Sequence, residues 1–209
     1  MFVCQMLCIM MNQSKSASTP AFLHEHAEDN LRFIRTTMES ATTYTGVSGL
    51  GYVIAGSTAF LASWLASKQA NEASWLAIWM LELVVAGVIA FGLSAFKGVK
   101  QGTSFLSPSG RKLLFVFIPT MLAGGLITVS FLLQGHVSLL PGIWLSIYGA
   151  AVMTAGLRSV AILPVMGALF LLLGAITLLT PVSGDLMLAL GMGALHLVFG
   201  IIIWRYHGG

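Results

Sequence analysis

Three side chains that can exchange protons or hydrogen bonds lie inside long apolar runs of the sequence. They are Glu82, Tyr148 and His196. A charged group at the middle of a membrane helix costs about 2.5–3.5 kcal/mol on insertion scales. A bound proton or a partner inside the protein lowers that cost. These three residues are therefore the first candidates for a functional site.

The rise of an α-helix converts a position in the sequence into a depth in the membrane. It predicts similar depths, on three different helices, for Glu82, Tyr148 and His196. His196 is the expected hydrogen-bond partner of Glu82, because their two predicted helices run in the same direction. Such a group could relay protons or hold a polar ligand. It could instead be a structural hydrogen-bond set, with each bond contributing about 1 kcal/mol. No catalytic residue is assigned.

Histidines and cysteines near the N-terminus invite a metal-binding interpretation, which their spacing argues against. On a helix, side chains two residues apart, such as His24 and His26, point about 200° away from each other. His24 and Glu28 could share an ion, but two ligands do not make a site. Cys4 and Cys8 lie in a short apolar stretch without other ligands. We therefore expect neither a metal site nor a cofactor.

The composition excludes a soluble globular protein. Charged residues make up 8% of the 209-residue chain, against about 25% in typical soluble domains. Hydrophobic residues make up 57%, and the mean hydropathy is +0.91. A soluble domain of this size could not bury so much apolar surface, and a disordered chain would be far more polar. The sequence predicts an all-α, polytopic membrane protein.

Six apolar runs are long enough to cross a bilayer as helices, which takes about 20 residues each. They are 46–67, 75–96, 112–133, 139–157, 160–180 and 185–204, so that residues 46–204 form a six-helix transmembrane bundle. Small residues at four-residue spacing predict close helix contacts, and these are Ala55, Ala59, Ser63, Ala151 and Ala155. The aromatic residues expected at the two membrane interfaces are Trp75, Trp79, Trp144, Trp204 and Tyr206.

The distribution of basic residues predicts the orientation of the bundle. With the N-terminus in the cytoplasm, nine of the ten Lys and Arg residues fall in cytoplasmic segments, and Lys68 is the exception. Both termini, including the short tail 205–209, are therefore expected in the cytoplasm. Topology and anionic lipid account for the net charge of +3, so we expect no nucleic-acid partner.

Residues 21–41 are predicted to form a cytoplasmic amphipathic helix ahead of the bundle. Apolar residues recur at three- and four-residue steps, with charged residues on the opposite side. We expect this helix to lie on the lipid surface or to contact a protein partner. The residues assigned to that surface are Leu23, Leu31, Arg32, Ile34, Arg35 and Met38. Residues 1–20 are expected to be disordered, or to include a stretch upstream of a translation start at Met11.

Five stretches of the sequence are distinctive. They are 26–39 (HAEDNLRFIRTTME), 140–145 (LPGIWL), 164–167 (PVMG), 196–200 (HLVFG) and 205–209 (RYHGG). Together they resemble a family of small bacterial integral membrane proteins with six helices, from about residue 22 to the end. The resemblance implies a location in the inner membrane of a bacterium and a six-helix bundle. It implies no activity and no catalytic residues, since none is assigned to that family.

Two function classes follow from these residues. The leading interpretation is a non-enzymatic accessory, sensory or partner-binding module, because polar groups are scarce in the predicted bundle and an organised amphipathic face precedes it. The alternative is a small transporter or proton-coupled carrier that uses Glu82 and His196. An intramembrane enzyme would need a nucleophile–base pair or a metal cluster, and the aqueous loops contain no catalytic triad, P-loop or zinc pattern. We therefore expect the protein not to be an enzyme.

Overall fold

The computed structural model describes residues 20–41, 44–102 and 104–206, with 20–25, 35, 36 and 39–41 described as backbone alone. Within these ranges the chain has seven helices and no strand, which confirms the predicted all-α class. The helices are α1 (Pro20–Ala41), α2 (Gly49–Ala66), α3 (Glu72–Lys100), α4 (Pro108–Gln134), α5 (Leu140–Gly156), α6 (Leu163–Leu179) and α7 (Gly184–Tyr206). A 3₁₀ turn, Val137–Leu139, leads into α5.

Five of the helices, α2, α3, α4, α5 and α7, are long and apolar enough to cross a membrane. The remaining predicted span, 160–180, corresponds to α6, which is apolar but has only 17 residues. At 1.5 Å per residue α6 is about 25 Å long, a little short of a hydrocarbon core of about 30 Å. It starts three residues later than predicted because Pro164 occupies its first turn, where the missing N–H costs no helical hydrogen bond.

Side chains at the helix ends fix where several of these helices begin. Asn71 Oδ1 accepts a hydrogen bond of 2.7 Å from Ser74 N at the start of α3, and Ser48 and Ser107 cap α2 and α4 in the same way. Gly135, with φ of 73°, ends α4 in the left-handed conformation that glycine adopts without strain. The helices α3 and α4 extend a turn beyond the predicted spans, because the charged residues at their ends can reach toward the aqueous phase.

The packing of the six helices after α1 is uneven. α5 and α6 pack along each other, α2 contacts both α3 and α7, and α4 contacts α5. The consecutive helices α3 and α4, by contrast, make almost no backbone contact with each other. The largest fully buried apolar side chains on the helices are Leu140, Leu145, Met166, Phe170 and Ile203. The core therefore lies between α5, α6 and α7, and a gap is left between α3 and α4.

Small residues bring α2 and α7 together. Ala55, Ala59 and Ser63 on α2 are buried, as their spacing predicted. A Cβ atom placed on Gly56 would lie 2.8 Å from the carbonyl oxygen of Gly193 on α7, so only a glycine fits there. The contact is a close approach of two backbones.

Hydrogen bonds join the helices at both ends of the bundle. At one end the buried Tyr44 donates its N–H to the carbonyl of Arg158 at 2.9 Å, and Ser159 Oγ donates to the carbonyl of Tyr44 at 2.6 Å. At the other end Trp75 Nε1 donates to Asp185 Oδ1 at 2.7 Å. We refer to these as the Tyr44 end and the Asp185 end.

The helix α1 covers the predicted amphipathic segment and begins one residue earlier, at Pro20. Leu31, Ile34 and Met38 are 65%, 52% and 66% exposed, and Arg32 is also exposed. The side chains of Leu23 and Arg35 lie outside the described part of the chain, as do residues 1–19 with Cys4, Cys8 and the proposed start at Met11.

Candidate functional site

A cavity of about 490 Å³ lies where α3 and α4 separate, and we call it the α3–α4 cleft. Its walls come from α3 and α4, and α2, α5 and α7 supply the deeper side. Leu83, Ile118 and Leu122 line the cavity and are about half exposed or more, so the cleft opens at the surface of the bundle between α3 and α4. Most of its lining is apolar or aromatic, as is typical of sites for small apolar ligands.

All three residues of the predicted polar site line this one cleft. Glu82 comes from α3, Tyr148 from α5 and His196 from α7. Glu82 and His196 are buried, with 9% and 8% of their surfaces exposed. The three side chains therefore share a cavity, although they do not form a single hydrogen-bonded group.

Glu82 is hydrogen-bonded to a residue that the sequence analysis did not select. Thr58 Oγ1 on α2 lies 2.8 Å from Glu82 Oε1 and 2.9 Å from the carbonyl oxygen of Ala55. An ionised Glu82 accepts the hydroxyl proton of Thr58. A protonated Glu82 can instead donate to Thr58, whose own proton then goes to the Ala55 carbonyl. The site thus satisfies Glu82 in either protonation state.

The expected hydrogen bond between Glu82 and His196 is not formed, and His196 pairs with Tyr148 instead. Tyr148 Oη lies 2.7 Å from His196 Nε2. When the imidazole donates this bond, the phenol O–H remains available to the cleft, and when the phenol donates, its oxygen can still accept. The hydroxyl of Tyr148 therefore keeps hydrogen-bonding capacity for a ligand in either case.

A π-helical segment, Ala189–Leu195, ends immediately before His196. A π-turn widens the helix and turns the following side chains relative to a regular α-helix, and such segments recur at functional sites. His196 Nδ1 is buried and makes no hydrogen bond of acceptable geometry within the described residues, while the backbone of Gly191 and Met192 lies beside it. A prediction that assumes a uniform helical rise and turn does not include this departure from regular helical geometry.

Tryptophans hold the shape of the cleft. Trp79 and Trp144, two of the aromatic residues expected at the membrane interfaces, line it, and Trp79 is only 8% exposed. Trp144 Nε1 donates to Thr128 Oγ1 on α4 at 2.8 Å. Trp75 also lines the cleft and is held by Asp185. The bound N–H groups of Trp75 and Trp144 fix these two rings, whereas Nε1 of Trp79 is buried without a hydrogen-bond partner among the described residues.

A second cavity of about 90 Å³ lies toward the Tyr44 end. Five residues line both cavities, namely Ala90, Phe91, Phe117, Tyr148 and His196. The ring of Phe117 packs edge-on against Tyr148, with 6.1 Å between centroids. The Tyr148–His196 pair and its aromatic neighbours therefore form the partition between the cleft and the second cavity.

Metal ligands do not cluster in the part of the chain that the structure describes. No group of three or more His, Cys, Asp or Glu side chains that could hold an ion is found there. The polar groups of the described side chains that line the cleft are one carboxyl group, one phenol, one imidazole and the N–H groups of three indoles.

Thr58 could not have been singled out from sequence. It lies between Ala55 and Ala59 in a stripe of small residues, 24 positions before Glu82, and a lone threonine in a membrane helix usually bonds to its own backbone. Only the packing of α2 on α3 brings its hydroxyl to the carboxyl group.

Comparisons with known proteins found no match. No protein-family profile matches the chain, and neither a curated protein nor a solved structure is significantly similar to it.

Proposed function

We propose that this protein is a non-enzymatic, multi-pass membrane module that binds a mainly apolar small molecule in the α3–α4 cleft, as a sensory or accessory subunit. The observation that carries the proposal is a cavity of about 490 Å³ that opens between two membrane-length helices. An apolar molecule would enter it from the bilayer without crossing water. Glu82 and Tyr148 supply the hydrogen-bonding groups by which the cleft distinguishes a ligand with a polar group from a lipid acyl chain.

Intrinsic fluorescence can test this proposal, because three of the five tryptophans line the cleft. The other two, Trp64 and Trp204, are 59% and 53% exposed and are replaced by phenylalanine to leave only the cleft signal. The protein is placed in nanodiscs and titrated with a brominated long-chain alcohol, a neutral quencher. Binding in the cleft gives saturable quenching, whereas simple partition into lipid gives quenching that rises in proportion to the amount added.

Two glycines of α3 provide a matched pair of variants. A Cβ atom on Gly87 or on Gly92 would meet nothing within 4 Å, but only Gly87 lines the cleft. We expect Gly87→Phe to fill the cleft and abolish saturable quenching, and Gly92→Phe to leave it unchanged. Proportional quenching in the parent protein, or equal behaviour of the two variants, would contradict the proposal.

A carrier is the second candidate function, and the partition between the two cavities favours it. Tyr148 and His196 separate a compartment open to the bilayer from one near the Tyr44 end, as an occluded transport path requires. Ser94 lines the second cavity and is buried. In a variant with Cys4 and Cys8 replaced by serine, Ser94→Cys should react in sealed vesicles with a water-soluble maleimide on the Tyr44 side if the protein is a carrier. Lack of reaction would leave the binding module as the function.

We place the Tyr44 end, with both termini, in the cytoplasm of a bacterial cell. The basic residues at or near that end support this orientation, and they are Lys97, Lys100, Arg111, Lys112, Arg158 and Arg205. The Asp185 end has Lys68 with Glu72 and Asp185. Single cysteines at Gly102 and Lys68 in the cysteine-free background should be labelled from opposite sides of the membrane.

We further propose that α1 lies on the bilayer surface. Its exposed apolar residues Leu31, Ile34 and Met38 recur at three- and four-residue steps, which suits an interfacial helix. A quencher dissolved in the lipid should relax a spin label attached at position 38. This relaxation should be lost in the double variant Leu31→Asp/Ile34→Asp. Protection from both lipid and aqueous quenchers in cells, but not in pure nanodiscs, would indicate a protein partner instead.

A further inference from the structure

The charge of the cleft is set by a single acidic side chain. Glu82 lines the cleft, and no lysine or arginine is among the lining residues. Its Oε1 atom accepts from Thr58, while Oε2 has no hydrogen bond within the described residues. A carboxylate can accept about four hydrogen bonds, so one neutral hydroxyl leaves most of its capacity and all of its charge uncompensated.

A buried carboxylate in an apolar lining is stabilised most by an opposite charge. Removal of an ion from water costs several kcal/mol, and a neutral hydroxyl recovers only part of that cost. Among the described residues that line the cleft there is no lysine or arginine, and the imidazole of His196 is paired with Tyr148 rather than with Glu82. A ligand that brings a positive charge would supply the counter-charge.

Aromatic rings in the same cleft favour the same kind of ligand. Trp75, Trp79 and Trp144 line it together with Phe91 and Phe117. The faces of aromatic rings attract cations, tryptophan most strongly, by about 2 kcal/mol where water is excluded. The N–H groups of Trp75 and Trp144 are bonded to Asp185 and Thr128, so the rings are already held in place.

We infer that the α3–α4 cleft is selective for hydrophobic cations, with Glu82 as the counter-charge and the tryptophans as the cation-binding walls. The inference rests on the proposed binding function and narrows its ligand to lipophilic amines, quaternary ammonium and phosphonium compounds. Such molecules dissolve in the bilayer and reach the cleft through the opening between α3 and α4. An acyl chain of bulk lipid would fill the same volume without meeting the charge.

Tetraphenylphosphonium and tetraphenylborate, two ions of matching shape and opposite charge, test the inference. Their affinities are measured by quenching of the cleft tryptophans in the parent protein and in Glu82→Gln. Because each ion is compared between two proteins in the same nanodiscs, its partition into lipid cancels. We expect Glu82→Gln to lower the affinity for the phosphonium ion about tenfold or more. The affinity for the borate ion should stay the same or increase.

Two further measurements keep the outcomes distinct. Saturable quenching of Glu82→Gln by the neutral brominated alcohol, whatever its affinity, shows that the variant keeps a folded cleft. Glu82→Asp retains the charge and should restore much of the phosphonium affinity.

If Glu82→Gln changes the affinities for the two ions equally, or changes neither, the cation inference is overturned. Saturable binding of the alcohol to the parent protein would still uphold the proposed function in that case. If the alcohol does not bind the parent protein, the proposed function and the cation inference are both overturned.

Discussion

The Glu82 carboxyl group on α3 is 2.8 Å from the hydroxyl of Thr58, which lies near the middle of α2. The contact places a neutral hydrogen-bonding partner, rather than a charge, beside the acidic residue of the cleft. Since the hydroxyl can donate to the carboxylate or accept from the protonated acid, the site holds Glu82 without fixing its charge. A ligand that carries the complementary charge can then select the ionised form.

Thr58→Val keeps the shape of the side chain and removes this hydrogen bond. We expect a loss of about 1 kcal/mol in the free energy of unfolding, since hydrogen bonds between membrane helices contribute about 0.6 kcal/mol on average and at most about 1.7 kcal/mol. Thr154→Val is the control, because Thr154 bonds only to carbonyls of its own helix. In a Glu82→Leu background Thr58→Val should have little effect. Equal losses for Thr58→Val and Thr154→Val in thermal unfolding would argue against the interhelical bond.

Gly56→Ala should separate α2 from α7. The added Cβ atom would lie 2.8 Å from the Gly193 carbonyl oxygen and 2.9 Å from Leu197 N, both of which are backbone atoms that cannot turn aside. We expect the free energy of unfolding to fall by about 1–3 kcal/mol. Gly87→Ala, which meets nothing within 4 Å, should gain up to about 1 kcal/mol from helix propensity. Unfolding in denaturant checks both, and a loss at Gly87 as large as that at Gly56 would refute the steric argument.

Tyr148→Phe removes the phenol that lies 2.7 Å from His196 Nε2. The imidazole would lose its partner, and we expect a loss of about 1 kcal/mol in stability. The ¹⁵N resonance of His196 Nε2 should also shift, which a change in packing alone would not produce. Tyr206→Phe, on a side chain that is 77% exposed, is the control and should change neither quantity.

Alkaline unfolding should depend on Tyr44. Burial raises the pKa of Tyr44 from 10.0 to about 12 in the folded protein. The stabilisation by the neutral phenol is therefore complete below pH 10 and is lost as the pH rises to about 12, because the unfolded chain ionises first. Between these values the melting temperature of the parent should fall more steeply than that of Tyr44→Phe. Parallel curves would show that Tyr44 ionises equally in both states.

Much of the fold could be predicted because composition and helical periodicity are local properties. The apolar runs correspond to helices α2 to α7, and the segment 21–41 to α1. The helix α6 is shorter than its predicted span, because its start depends on the position of Pro164 relative to the preceding turn. The conformation of such a turn is set by neighbouring helices, which the apolar pattern does not report.

The candidate site was predicted as a set of residues but not as an arrangement. Glu82, Tyr148 and His196 share a cleft, yet the pairing of Glu82 with Thr58 depends on the close packing of α2 against α3. The position of His196 depends on the π-helical segment before it, and a helical count assumes uniform geometry.

Residue types and their spacing are enough to predict that this chain is helical, that it is apolar enough for a membrane, and that Glu82, Tyr148 and His196 lie within its spans. The packing of the helices was needed to show that α3 and α4 stand apart, that Trp79 and Trp144 face the resulting cleft, and that a threonine pairs with Glu82. Helices of similar hydrophobicity can pack in many ways, and the choice among them is made by small steric fits such as that of Gly56 against Gly193.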